Sequence, residues 1–143
     1  MKRLRRTQIL VEGRATCRQE LVVRIREACN PQLVQPAQTG LVLLDVRDSA
    51  QGQRFHPGEA TVQEARVRIG DSIGLGFILG HDAQAAEELA TVDAAFKANL
   101  ACVPSLIERL EAEAGWLEAQ RAEQAAQRDA TRVRFDTMEV ETE

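Results

Sequence analysis

The run from Thr61 to Leu79, TVQEARVRIGDSIGLGFIL, constrains the fold more than any other part of the chain. Ala65, Val67 and Ile69 alternate with Glu64, Arg66 and Arg68, which is the period of a strand with one dry face and one wet face. Gly70-Asp71-Ser72 reads as a tight turn, after which Ile73, Leu75, Phe77 and Leu79 resume the alternation around Gly74 and Gly76. The pattern is that of an antiparallel hairpin, with the apolar residues of its second strand expected on the packed face. Gly74 and Gly76 then fall opposite that face. Glycine there costs strand stability, so the pair signals either close approach by another backbone or a ligand, or a bulge.

The flanking segments supply the rest of the architecture. Leu41 to Arg47, LVLLDVR, follows the turn signal Thr39-Gly40 and reads as the first strand. The apolar positions of residues 1–30 fit two short helices broken near Gly13, with Thr16 a candidate N-cap and Asn30-Pro31 the stop. Asp82 is placed to cap a helix whose apolar face is Ala85, Leu89, Val92, Phe96 and Leu100. Pro104 sits in the first turn of a second helix, whose apolar face thins to alanines beyond Leu117 and so packs weakly or against a partner. Arg132 to Met138 alternates again. A strand arriving alone at that point adds to the edge of its own sheet or to that of another chain, and in the second case it is an assembly arm. The fold class is α+β in a single domain over 1–143: N-terminal helices (1–30), an antiparallel sheet of three to four strands (40–80), two following helices (82–130) and a C-terminal strand or arm (131–139).

Composition narrows the function classes. A chain of 143 residues builds one core. Net charge −4, four Phe, one Trp and no Tyr argue against nucleic-acid binding, which needs a basic footprint and stacking aromatics. Lys2, Arg3, Arg5 and Arg6 at the start, and Asp136, Glu139, Glu141 and Glu143 at the end, read as solvated termini. Cys17, Cys29 and Cys102 lack zinc or disulfide-framework spacing and are expected to be reduced thiols, with no metal. No run has signal-peptide or membrane-span character, so a cytoplasmic protein without membrane association is expected.

No hydrolase elbow, phosphate-binding loop or dinucleotide fingerprint is present, and no self-contained catalytic centre can be named. The candidates are scattered. His56 lies near Gly58-Glu59, and His81 lies between Gly80 and Asp82, each either a ligand-binding group or a hydrogen-bonded loop histidine. Glu59 is a base or an exposed turn residue. Arg66 and Arg68 share a strand face with Glu64, an arrangement that suits either phosphate or cross-strand ion pairing. Asp93 borders the apolar face of its helix, where burial raises a carboxyl pKa unless cations or hydrogen bonds satisfy it, and an interface salt bridge is expected. Val133, Phe135, Thr137 and Met138 are the interface candidates of the terminal strand.

Taken in order, TGLV at Thr39, Phe55-His56-Pro57-Gly58-Glu59-Ala60-Thr61-Val62, Val67-Arg68-Ile69, the glycine hairpin running into Gly80-His81-Asp82, and the closing Thr131-x-Val133-x-Phe135-x-Thr137-Met138 resemble the PhnG family. That family is a subunit of the carbon-phosphorus lyase core complex, and the resemblance spans nearly the whole chain. It implies organic phosphonate catabolism, at the step in which an alkylphosphonate displaces adenine from ATP to give a ribose 1-phosphonate 5-triphosphate. It implies a hetero-oligomer: a PhnI-type partner carrying the nucleosidase-like chemistry, PhnH and the ATP-binding-cassette-like PhnL also needed, and the radical enzyme PhnJ in the same complex. This chain would be a non-autonomous transferase subunit that binds no cofactor alone, ATP and alkylphosphonate being substrates of the complex. Its part in the chemistry would be to position a polyanion through Arg66, Arg68, or backbone N–H groups at Gly58 and Gly80. Relatives usually carry arginine-rich sequence where this chain has Arg47 to Gly52, Gln63-Glu64, His81 and Glu139 to Glu141. The alternative function is a non-catalytic interaction module that kept the fold and lost the pathway.

Overall fold

A computed structural model describes residues 1–130. In chain order it contains α1 (Arg3–Glu12), α2 (Ala15–Ala28), β1 (Gln32–Leu43), β2 (Val46–Arg47), β3 (Arg54–Phe55), β4 (Glu59–Ile69), β5 (Ser72–Leu79), α3 (Ala83–Lys97) and α4 (Val103–Ala130). The α+β class, the break between two N-terminal helices and the paired later helices agree with the sequence. The expected terminal strand, 131–139, lies outside the described residues.

β4 is the middle strand of a three-stranded antiparallel sheet ordered β1-β4-β5, and β2 pairs with β3 as a separate small ribbon. The β4–β5 hairpin runs in unbroken register from Val62↔Leu79 to Ile69↔Ser72, so no bulge accounts for Gly74 and Gly76. They are there because α3 lies on them. A Cβ on Gly76 would stand 2.7 Å from the Ala90 nitrogen and 2.9 Å from the Ala86 carbonyl carbon, and one on Gly74 would stand 2.8 Å from Ala94 Cα. Only hydrogen fits between strand and helix. Ala86, Ala90 and Ala94 supply the matching small side of the helix, and all three are fully buried.

This contact reverses one expectation. The dry face of β4 (Ala65, Val67, Ile69) is buried as read, but on β5 the packed face is the glycine face. Ile73, Phe77 and Leu79 point away from the helices and are 42%, 48% and 68% exposed. Alternation fixed the period, and the close approach of α3 decided which half faces inward.

Two further boundaries differ. β1 begins at Gln32, not Leu41, and passes straight through Thr39-Gly40, while Val46 and Arg47 belong to the small ribbon. Its first half, QLVQPAQ, lacks a clean polar-apolar alternation and carries Pro36, and its register shifts on both sides of Gln35. An edge strand tolerates both features, which is why the segment lacks a strand signature. Thr16 lies inside the first turn of α2, and Arg14 holds the N-cap position without a side-chain cap. Asp82 does cap α3, accepting from the Ala85 N–H at 2.9 Å.

Of the basic N-terminal residues expected to be solvated, Lys2, Arg3 and Arg5 are exposed, but Arg6 is not. Arg6 is buried, with its guanidinium 2.6 Å from Asp93 and stacked 4.2 Å above the Phe96 ring. Arg18 is buried against Glu88 on α3. Arg14 donates to the fully buried Glu113 on α4 from its backbone N–H, Nε and Nη2 at 2.7–3.0 Å, and Arg109 adds a fourth contact. Three carboxylates of the later helices thus tie down the first two. Glu113 is pulled from 4.5 to about 2, chiefly by the Arg14 hydrogen bonds, which outweigh burial.

Candidate functional site

The hairpin divides the anion-binding candidates between its two ends. Arg68 pairs with Ile73 and Arg66 with Leu75, near the Gly70 turn. Both side chains project from the sheet face opposite α3. Arg66 is held by Glu64 of the same strand at 2.8 Å, an i,i+2 pair and not a cross-strand one. Arg68 is exposed and forms no ion pair among the described residues.

Gly58, Glu59, Gly80 and His81 stand at the other end. Glu59 is nine residues from Arg68 along an extended strand, a separation of about 30 Å. Gly80 takes a positive φ of 91°, as its turn requires, and its N–H is already committed to the Thr61 carbonyl at 2.9 Å, so it is not an anion donor. The Gly58 carbonyl accepts from Leu44 N–H, and His56 Nδ1 is 3.0 Å from the Leu44 carbonyl. Glu59 and His81 are exposed. These groups brace the far end of the sheet, and they do not converge with the arginines on one reacting centre. Among the described residues no cluster of His, Cys, Asp and Glu could hold a metal ion.

Asp93, expected in an interface salt bridge, makes its ion pairs within the chain. Its carboxylate is 4% exposed as a residue, and it meets Arg6, Arg3 and Lys97 and accepts the Leu75 N–H at 3.1 Å. Burial alone would push the carboxyl up, but Lys97, the Leu75 N–H and Arg3 together hold it below the ordinary value. The pairing ties α1, α3 and β5 together. Val133, Phe135, Thr137 and Met138 lie outside the described residues.

What the sheet does offer is surface. On the face away from α3, Ile73, Phe77 and Leu79 surround Glu64, Arg66 and Arg68, and Val42 of β1 is 39% exposed beside them. Where β1 overhangs α3, Leu41 and Leu43 are 64% and 58% exposed, with Phe55 of the ribbon close in sequence to that end. Apolar side chains gathered on one sheet face in this way are the kind of surface that marks an interaction site. The signal missed in the sequence was the glycine pair itself: small residues mark the covered face, so the large ones must lie on the other.

At the edge of β5 that no described strand pairs lies a groove of about 330 Å³, roofed by Leu4 and Thr7 of α1 and floored by Leu75, Phe77 and Leu89. No helix of the described residues is long and apolar enough to cross a membrane.

Among the described residues these features define a two-layer α+β protein with one sheet face and one sheet edge left uncovered, and functional candidates that do not assemble into a catalytic constellation. Residues 1–140 match the family described as "Phosphonate metabolism protein PhnG", and the chain belongs to that family. It is similar to the alpha-D-ribose 1-methylphosphonate 5-triphosphate synthase subunit PhnG of Rhizobium meliloti (strain 1021), at 38% identity over 108 residues that cover 73% of this chain and 67% of that protein.

Proposed function

We propose that this chain is an accessory subunit of a synthase in which an alkylphosphonate displaces adenine from ATP to give a ribose 1-phosphonate 5-triphosphate, within the carbon-phosphorus lyase route of phosphonate catabolism. The observation that carries this reading is the inverted β5. A strand that buries its glycines and exposes Ile73, Phe77 and Leu79 costs solubility unless another protein covers it. The subunit name of the Rhizobium meliloti relative points the same way.

The partner in this reading is a PhnI-type chain, with PhnH, PhnJ and PhnL-type proteins in the same cytoplasmic system. The reacting groups belong to the partner, and ATP and the phosphonate are substrates of the complex. Arg66 and Arg68, on the sheet face away from α3 that the partner would cover, are the groups of this chain best placed to add positive charge beside a bound triphosphate. Their guanidiniums would become desolvated on docking, which strengthens their attraction for a polyanion.

Co-expression with the cognate PhnI-type chain tests the reading, followed by size exclusion and a phosphonate-dependent adenine-release assay. Co-elution and adenine release are expected, and Phe77→Asp with Leu79→Asp should abolish both while leaving the isolated chain folded. Separate elution of the two wild-type chains would refute the subunit assignment. Unchanged co-elution of the double variant would remove the naked face from the interface.

A further inference from the structure

We propose that Cys29 and Cys102 are an oxidisable thiol pair, which a low-molecular-weight disulfide converts to an internal Cys29–Cys102 bond joining the end of α2 to the start of α4. This stands apart from the proposed function, because it concerns two thiols of the isolated chain and not the sheet face.

The packing of the two helices sets the pair. α2 and α4 run antiparallel: Arg14 meets Glu113, Glu20 meets Arg109 at 2.6 Å, and the Arg24 guanidinium reaches the Ser105 carbonyl at 3.4 Å. Each step forward along α2 is a step back along α4. Cys29 follows Arg24 by five residues and Cys102 precedes Ser105 by three, so both lie at one end of the helix pair. At about 1.5 Å per residue their levels differ by about 3 Å. Cys29 is the C-cap of α2, and Cys102 immediately precedes α4.

Both side chains pack against the apolar core that the two helices share through Leu21, Ile25, Leu106 and Leu110, so both face inward. Their backbones are held there before any oxidation. The Cys29 N–H donates to the Ile25 carbonyl at 2.9 Å, and the Cys102 carbonyl accepts from Ser105 Oγ at 2.9 Å and from the Leu106 N–H at 3.1 Å. The Cys29 thiol also feels its neighbour: burial pushes it up, and negative charge on Cys102 pushes it up further.

The same register rules out the other pairings. Cys17 lies twelve residues before Cys29 on the same helix, a separation of about 18 Å. Its own charged surroundings are Arg109, Glu113, Glu20 and Arg14, and the first two lie seven and eleven residues along α4 from Cys102, at least about 10 Å away. A disulfide needs its Cα atoms within about 7 Å. Cys17 is buried besides, whereas Cys29 and Cys102 are half-buried and open to a small reagent.

The exchange needs no other group. One cysteine thiolate attacks the small disulfide, forming a mixed disulfide and releasing one small thiol. The second cysteine thiolate then attacks the protein-side sulfur and expels the other. Two protein thiols give up two electrons and two protons, and the oxidant leaves as two thiols. The loop so closed holds β1–β5 and α3, and a long loop is the case in which a cross-link constrains the unfolded chain most.

The test equilibrates the full-length chain with mixed reduced and oxidised glutathione, folded and again in urea, and maps the disulfides by mass spectrometry after thiol alkylation. The Cys29–Cys102 bond should form with Cys17 left free, and its equilibrium constant should be at least about tenfold larger in the folded chain, where packing holds the thiols together. Tm should rise by about 10 °C on oxidation and return with dithiothreitol. Cys29→Ser and Cys102→Ser should each abolish the bond and the rise. Glutathione adducts that persist on Cys29 or Cys102 with no bond between them would overturn the proposal. A bond no more favourable in the folded chain than in urea would overturn it too, as would a lowered Tm or cross-links between two copies in place of the internal one.

Discussion

Replacing Gly76 with alanine tests the physical claim on which the rest depends, that α3 sits so close to β5 that only glycine can separate them. The added Cβ would lie 2.7 Å from Ala90 N and 2.9 Å from Ala86 C, with the Ala86 carbonyl oxygen nearer still. Those are backbone atoms in the middle of a helix, so no side chain can swing aside. Relief to ordinary contact requires α3 to lift by about 1 Å, and a gap of that size forfeits a quarter to a half of the dispersion energy along the interface. The lifted face includes Ala86, Leu89, Ala90, Ala94 and Ala95, all buried. Overpacking of this kind costs about 1–3 kcal/mol and sometimes more, and the immobility of the obstructing atoms puts Gly76→Ala near 3 kcal/mol. Urea unfolding measures it, with an accompanying fall in Tm of about 10 °C for a domain of this size. Gly115, exposed on α4 with nothing within 4 Å of its Cβ position, is the internal control. Gly115→Ala should stabilise by about 0.5–1 kcal/mol through helix propensity alone. A cost below about 1 kcal/mol at Gly76 would refute the close-approach argument, and with it the reason given for the exposed apolar face.

Two further outcomes follow from the ionic groups. Glu113→Gln should cost about 2–3 kcal/mol at pH 7, since it weakens four contacts to Arg14 and Arg109 around a fully buried carboxylate. Because the folded carboxyl titrates near 2 and not 4.5, this stability is present above pH about 5 and lost as pH falls toward 2, so urea midpoints of wild type and variant should converge across that window. Arg68→Ala should leave the fold within about 0.5 kcal/mol, because the side chain is exposed and forms no ion pair among the described residues. In the assembled complex the same change should weaken nucleoside triphosphate binding by about 1.5–3 kcal/mol, or tenfold to 150-fold, and unchanged binding would exclude Arg68 from the anion site.

The sequence was legible where period and capping act locally. The β4–β5 hairpin, the Gly13 break, the Asp82 cap and the two later helices all rest on interactions within a few residues, and all are present. It was illegible where a distant element made the decision. Nothing near Ile73 or Phe77 says that α3 will choose the glycine face. Nothing near Arg6 or Arg14 says that Asp93 and Glu113, 87 and 99 residues away, will pair with them. The first half of β1 was missed because it contains Pro36 and no clean alternation, and its partner strand, not its own pattern, makes it extended. The site candidates were chosen as loop residues near glycine, and Gly80 shows the weakness of that choice: its N–H closes the turn and has nothing left to donate.

The arrangement of the sheet bears on why the helix layer keeps two buried ionic clusters, at Asp93 and at Glu113. Buried ion pairs are a costly way to stabilise a monomer, because apolar residues of similar size often do as well or better. Their benefit is in fixing geometry. Asp93 holds α1, α3 and the β5 edge at one point, and Glu113 holds the α1–α2 junction on α4, so the helix layer cannot slide over the sheet. A rigid helix layer fixes the height at which α3 meets Gly74 and Gly76. That height in turn fixes the outward stance of Ile73, Phe77, Leu79 and the two arginines. Disruption at Glu113 or Asp93 should therefore weaken docking as well as folding, although neither carboxylate reaches the naked face.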